Sequence, residues 1–252
     1  MTTKTIAVAE TALARSSLYA FLGQGLAYPA PERRTLLVER MAPVLAGLEP
    51  EDLAVGEAIT GCLRALEEAD AVSLVRAHQL QFTIIESRDC PTYETAYRGE
   101  DVFRQAHIMA DVAGCYVAHG LRVGGEERER PDHITVELEF MSFLTAQEAY
   151  AVENLGRAEV ESARRTQRLF LREHLGTWGP GFGRRVQMTA ESNFYGGLGK
   201  LLAVWLEAEM GVLGVTPSEA VDRPLPPPPP DDGTCGVASS EAWPVQLQVG
   251  RP

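Results

Sequence analysis

The chain has 252 residues, 45% of them hydrophobic, and its 35 acidic residues against 23 lysines and arginines give a formal net charge of -12 at pH 7. Nucleic acid and anionic lipid are poor expected partners, because both require a basic surface. No stretch reaches the ~20 apolar residues of a membrane span, the N-terminus lacks a secretory signal, and the four cysteines are widely spaced, so we expect a cytoplasmic protein with reduced thiols and no membrane insertion.

Apolar residues recur at three- and four-residue spacing along most of the chain, which predicts packed helices. In chain order, the five clearest stripes begin at Ile6, Leu53, Val102, Ile134 and Leu198. Residues 80–85 (LQFTII) alternate weakly, but no hairpin turn follows, and we interpret them as the end of a helix that begins near Ala71. The predicted fold class is all-α, a bundle of about nine or ten helices.

Proline and glycine predict where these helices stop. Breaks are expected at residues 29–31, 47–50, 89–91, 120–130 and 176–183. Beyond Thr216 the chain becomes proline-rich, and residues 226–230 are five consecutive prolines, which exclude a helix. We therefore predict an all-helical domain over residues 1–218, with a hinge or loop near 120–132, and a flexible tail over 219–252. A bare linker and a partner-binding polyproline segment both remain possible interpretations of that tail.

The stretch Pro131-Asp132-His133 stands immediately before the longest apolar-periodic segment. One interpretation makes Asp132 the N-cap of the following helix, which is worth about 1 kcal/mol. The other is functional, since His133 and Glu137 lie one turn apart on the same helix face. Such a group could bind an arginine-rich peptide through charge-assisted hydrogen bonds, or transfer protons in an enzyme.

A second dense cluster, CPTYETAYRG, begins at Cys90. Tyr93 and Tyr97 are four residues apart and flank Glu94, as in an aromatic pair packed on the bundle. The same spacing suits one wall of a groove, in which rigid aromatic rings supply contact area and Glu94 supplies charge.

Other candidate sites fit their motifs poorly. Residues 195–202 (YGGLGKLL) lack the first glycine and the final Ser or Thr of a phosphate-binding loop, and residues 179–183 (GPGFG) lack the spacing of a dinucleotide fingerprint. Cys115 and His119 are four residues apart, but His107 lies more than two helical turns away and no fourth ligand for a metal is apparent. We therefore expect no catalytic residues, no cofactor and no metal.

The chain resembles the cytoplasmic redox-enzyme maturation chaperones of the TorD/DmsD/NarJ type over about residues 10–213. The resemblance depends on the order and spacing of several short motifs, and the Pro-Asp-His-Ile block is the most diagnostic of them. The motif residues are Arg15, Tyr19, Leu22 and Pro29; Pro91, Tyr93, Glu94 and Tyr97; Gln105, Met109, Asp111 and Gly114; Glu129, Pro131, Asp132, His133 and Ile134; Glu137, Glu139, Phe140 and Met141; Leu171, His174, Trp178, Phe194 and Tyr195.

This resemblance implies a non-enzymatic, TorD-like chaperone that binds the twin-arginine leader of the catalytic subunit of a molybdenum-cofactor oxidoreductase. It would assist cofactor insertion before export, as a monomer or an exchanged dimer. The family places leader contacts at Pro131, Asp132 and His133, and we extend them to Tyr93, Glu94 and Glu137. The alternative is an enzyme or nucleotide-dependent assembly factor that uses Asp132, His133 and Glu137. Which oxidoreductase is served, and whether a guanine nucleotide or the molybdenum cofactor binds, stay open.

Overall fold

The structure, a computed structural model, describes residues 3–48, 50, 52–83, 90–124 and 129–226. Within these residues the helices are α1 Thr3–Leu26, α2 Pro31–Thr35, α3 Ala42–Ala46, α4 Leu53–Glu68, α5 Ala71–His78, α6 Thr95–Arg98, α7 Val102–Ala118, α8 Ile134–Asn154, α9 Arg157–Glu173, α10 Leu175–Thr189 and α11 Asn193–Leu213. A π-helical turn, Leu36–Met41, joins α2 to α3, and a second, Gln79–Thr83, extends α5. Because α2, the first π-helical turn and α3 are continuous, the described part of the chain forms ten continuous helices. The all-α prediction is confirmed.

Helix α8 lies at the centre of the core. It packs most extensively on α1, while α11 packs on α10 and α4. Ile134, Leu138, Met141 and Leu144 of α8 are fully buried, at the spacing that predicted this helix. Full burial of such a side chain contributes about 1.5–3 kcal/mol, so this stripe holds α8 firmly in the bundle.

The break predicted at residues 176–183 is wrong, because α10 runs unbroken through them. The physical reason is a close approach between α10 and α11. A Cβ atom on Gly183 would lie 2.7 Å from the carbonyl oxygen of Gly199, and one on Gly199 would lie 2.6 Å from that of Gly183. Glycines in the two weak nucleotide-like motifs thus serve helix packing.

Residues 215–226, here called the C-terminal strap, follow α11 across the surface of the bundle. The amide of Val221 donates to the carbonyl of Thr177 at 2.8 Å, and that of Leu225 donates to the carbonyl of Ala96 at 2.9 Å. The first residues of the predicted tail, 219–226, therefore contact α6 and α10. Residues 227–252, with the polyproline run, lie outside the described residues, and the predicted domain boundary stays a prediction.

Candidate functional site

The two dense motifs of the sequence meet in space. Tyr93 and His133 form an isolated antiparallel bridge. On either side of it, the amide of Glu94 donates to the carbonyl of Asp132 and the amide of Ile134 donates to the carbonyl of Thr92, both at 2.9 Å. A short paired segment therefore fixes the start of α8 against the residues that lead into α6.

Asp132 does not cap α8, and that prediction is wrong. The N-cap is His133, whose Nδ1 lies 2.7 Å from Thr135 Oγ1 and 3.3 Å from the Thr135 amide. The fully buried Asp132 carboxylate instead accepts from the Oγ1 of Thr95 at 2.8 Å and from its amide at 3.2 Å. Arg130 donates to both carboxylate oxygens, from Nε at 3.0 Å and from Nη2 at 2.9 Å. Tertiary pairing with α6 thus replaces the local cap.

Glu137 is fully buried beneath this segment. Its Oε2 accepts from Trp178 Nε1 at 3.3 Å, and its Oε1 has no hydrogen-bond partner among the described residues. Burial raises the pKa of Glu137 well above its usual range, and the nearby Glu94 carboxylate raises it further. Burial in the core therefore favours the neutral form of the Glu137 carboxyl.

Glu94 is also fully buried and is paired with two basic groups. One carboxylate oxygen accepts from Arg98, and the other lies 3.2 Å from His174 Nδ1. Burial by itself lowers the pKa of His174, but hydrogen bonds to Cys115 and Glu94 outweigh it and raise that pKa to about 9. His174 is consequently protonated at neutral pH, and its charge compensates Glu94.

The six predicted site residues therefore lie around one paired segment, but their side chains differ in access. The carboxylates of Asp132, Glu94 and Glu137 are occupied inside the fold. Tyr93 and His133 line an open groove, and the carbonyl of the half-buried Pro131 accepts from Tyr116 Oη at 2.8 Å. A proton relay through Asp132, His133 and Glu137 finds no support here, because each is bonded to a different partner.

The groove has a volume of about 1060 Å³. Apolar residues of α1, of the π-helical turn after α5, of α8 and of the α7–α8 connection line it, together with four charged residues. The apolar residues include Leu26, Phe82, Leu121, Val123, Val136, Phe140 and Phe143, and the charged residues are Arg33, Arg122, Glu129 and Glu139. Burial raises the pKa of Glu139, while the charge of Arg33 lowers it. Local motifs missed most of these residues because they come from helices far apart in sequence.

The structure does not assemble a metal site from His107, Cys115 and His119. In the described ranges, no three His, Cys, Asp or Glu side chains are arranged to hold a metal ion, and Cys115 is hydrogen-bonded to His174 instead. Nor does any described helix have the length and apolar character that crossing a bilayer requires.

The described residues thus combine an all-helical bundle with an open groove that lies beside buried polar groups. The chain belongs to the nitrate reductase delta subunit family, whose model matches residues 48–184. The resemblance to TorD-type redox-enzyme maturation chaperones is thereby confirmed.

The relatives named as chaperones include proteins that serve three different reductases. The selenate reductase assembly chaperone protein of Thauera selenatis is 36% identical over 107 residues, covering 42% of this chain and 53% of the relative. The chlorate reductase assembly chaperone protein of Ideonella dechloratans is 32% identical, covering 45% and 56%. The perchlorate reductase assembly chaperone protein of Dechloromonas aromatica is 27% identical over 220 residues, covering 80% and 90%. The matches thus span about half the length of the first two relatives.

Proposed function

We propose that this protein is a cytoplasmic, non-enzymatic chaperone for the catalytic subunit of a molybdenum-cofactor oxidoreductase. It binds the subunit's twin-arginine leader in the groove and assists cofactor insertion before export. Relatives named as assembly chaperones for three reductases support the partner class. Whether the free chaperone is a monomer or an exchanged dimer does not alter the proposal.

The groove is the observation that carries the proposal. A twin-arginine leader combines a cationic end with an apolar, helix-prone run. Phe82, Val136 and Phe143 provide an apolar surface for a helix face. Glu129 and Glu139 lie on the same groove and can accept charge-assisted hydrogen bonds from arginine. The overall charge of -12 favours encounter with a cationic peptide.

Calorimetric titration with a synthetic leader peptide tests this proposal. We expect saturable binding that is lost when both leader arginines are replaced by alanine. Glu139→Gln should weaken binding about 10- to 100-fold, the equivalent of one charge-assisted hydrogen bond. The titration is made at pH 8, because burial raises the pKa of this carboxyl.

Glu153→Gln is the matched control, since Glu153 is an exposed residue of the same helix, α8, and does not line the groove. It should bind the leader like the unaltered protein. An unaltered protein that fails to bind the leader, or equal affinities for the Glu139 and Glu153 variants, would contradict the proposal.

A further inference from the structure

The side chain of Arg130 occupies a set of contacts that is specific for a guanidinium group. Its Nε and Nη2 donate to the two oxygens of Asp132 at 3.0 and 2.9 Å. Nη2 also donates to Thr95 Oγ1 at 2.7 Å, and the guanidinium carbon lies 4.4 Å from the centre of the Tyr93 ring. A forked carboxylate pair together with an aromatic face selects arginine over lysine, because an ammonium group cannot make both contacts in one plane.

The two sides of this contact differ in burial. Asp132 is 0% exposed and Thr95 is 4% exposed, and both are held by the paired segment at the start of α6 and α8. The Arg130 side chain is 43% exposed. It belongs to the connection between α7 and α8, and it reaches the carboxylate from the solvent side. The receptor is thus built into the core, whereas its occupant can be withdrawn without opening the core.

We propose that Asp132, Thr95 and Tyr93 form a guanidinium subsite that Arg130 fills from within its own chain, and that an arginine of a bound peptide takes its place. The replacement of Arg130 by a peptide arginine rests on the proposed leader binding. Tyr93 also lines the groove, so the subsite adjoins the surface on which the leader is expected.

Replacement of Arg130 by another guanidinium is favoured over its simple departure from Asp132. A buried carboxylate without a partner is costly, so Arg130 cannot leave Asp132 unpaired. An incoming guanidinium restores the same bonds, and the net cost of exchange is small. A lysine in the peptide restores the charge but not the forked geometry, so the exchange also discriminates between the two basic residues.

Chemical rescue tests the subsite without any leader. Arg130→Ala should lower the thermal unfolding midpoint, and millimolar agmatine, a small free guanidinium, should raise it again by about 2–4 °C. Putrescine, the matched diamine, should have a smaller effect. The double variant Arg130→Ala with Asp132→Asn should not respond, because it lacks the carboxylate. If Arg130→Ala does not fold, the same rescue is measured on Arg130→Gln, which keeps a neutral hydrogen-bond donor for Asp132.

Equal midpoint shifts for the unaltered protein and the Arg130 variant, or for agmatine and putrescine, would overturn the subsite. Titration with the leader then tests exchange. Removal of the internal competitor should tighten binding of the twin-arginine peptide about 10-fold and leave a twin-lysine peptide unaffected. Unchanged leader affinity would overturn exchange even where agmatine rescue succeeds. A leader that binds neither protein would instead refute the proposed function, while the rescue result would still decide the subsite.

Discussion

Three carboxylic acids at the candidate site have no exposed surface, and two of them are accommodated by ion pairs. Asp132 is ionically paired with Arg130, and Glu94 is paired with Arg98 and His174. For Glu137, burial raises the pKa and so favours the neutral carboxyl. Glu94 and Glu137, which looked like ligand contacts in the sequence, are therefore part of the scaffold beside the groove, because a buried charge must be neutralised before the fold is stable.

The protonated His174 makes stability depend on pH. Its pKa is raised from 6.5 in the unfolded chain to about 9 in the fold, so the folded state binds the proton more tightly. The stabilisation is fully present below pH 6.5 and is lost as the pH rises through about 9. We expect His174→Gln to remove a contribution of about 3 kcal/mol from this window.

Urea unfolding at several pH values between 6 and 10 measures this effect. The control is His107→Gln, because His107 is an exposed histidine of α7. Its unfolding free energy should follow that of the unaltered protein across the series. Parallel profiles for the His174 variant and the unaltered protein would show that His174 is not protonated in the fold.

At the scale of elements, the contact between α10 and α11 depends on two glycines. A Cβ atom on Gly199 would lie 2.6 Å from the Gly183 carbonyl oxygen and 2.7 Å from the Gln187 amide nitrogen. Both neighbours are backbone atoms that cannot move without separating the helices. Gly199→Ala should therefore lower the free energy of unfolding by about 1–3 kcal/mol, in spite of the better helix propensity of alanine.

Gly61→Ala in α4 is the matched control, since a Cβ atom there meets nothing within 4 Å. It should raise the unfolding free energy by about 0.5–1 kcal/mol, because alanine loses less backbone entropy in a helix. Chemical denaturation of both variants decides the matter. If the two substitutions have the same sign, α10 and α11 do not approach as closely as this contact requires.

At the scale of the whole molecule, one buried polar cluster connects four helices. Arg15 of α1 donates to Glu148 of α8 at 2.8 Å and to Glu209 of α11 at 2.8 Å. It also donates to Gln167 of α9 at 2.6 Å, and Tyr19 Oη donates to Glu209 at 3.1 Å. The Arg15 and Tyr19 positions that resembled a family motif thus close the bundle at a place away from the groove.

Removal of this guanidinium should destabilise the whole bundle. Arg15→Ala leaves the buried Glu209 without its guanidinium partner, while Glu148 keeps Arg164, and should cost about 3–5 kcal/mol of unfolding free energy. Arg168→Ala removes an arginine whose pair with Glu161 is partly exposed, with 33% and 54% of the two side chains accessible, and should cost about 0–1 kcal/mol. Urea unfolding of both variants provides the comparison, and equal losses would disprove a special role for the Arg15 cluster.

Local sequence patterns were sufficient for the fold class and for most helix positions. The stripe that begins at Ile134 predicted α8, because the helical period places its apolar residues on the faces that are buried. The glycine-rich segment at 176–183 misled the prediction, since glycine marks a helix end by its own conformational preference and only the neighbouring helix makes it necessary inside one.

The sequence by itself determined an acidic, all-helical chain and the order of the motifs by which its family is recognised. Tertiary structure alone decided that His133, and not Asp132, caps α8, and that the groove is lined by residues of α1, α2, α5, α7, α8 and the α7–α8 connection. The physical reason is range. Helical amphipathicity depends on residues a few positions apart. The partner of a buried charge is whichever group the packed helices bring near it, such as Glu209 for Arg15 across 194 positions.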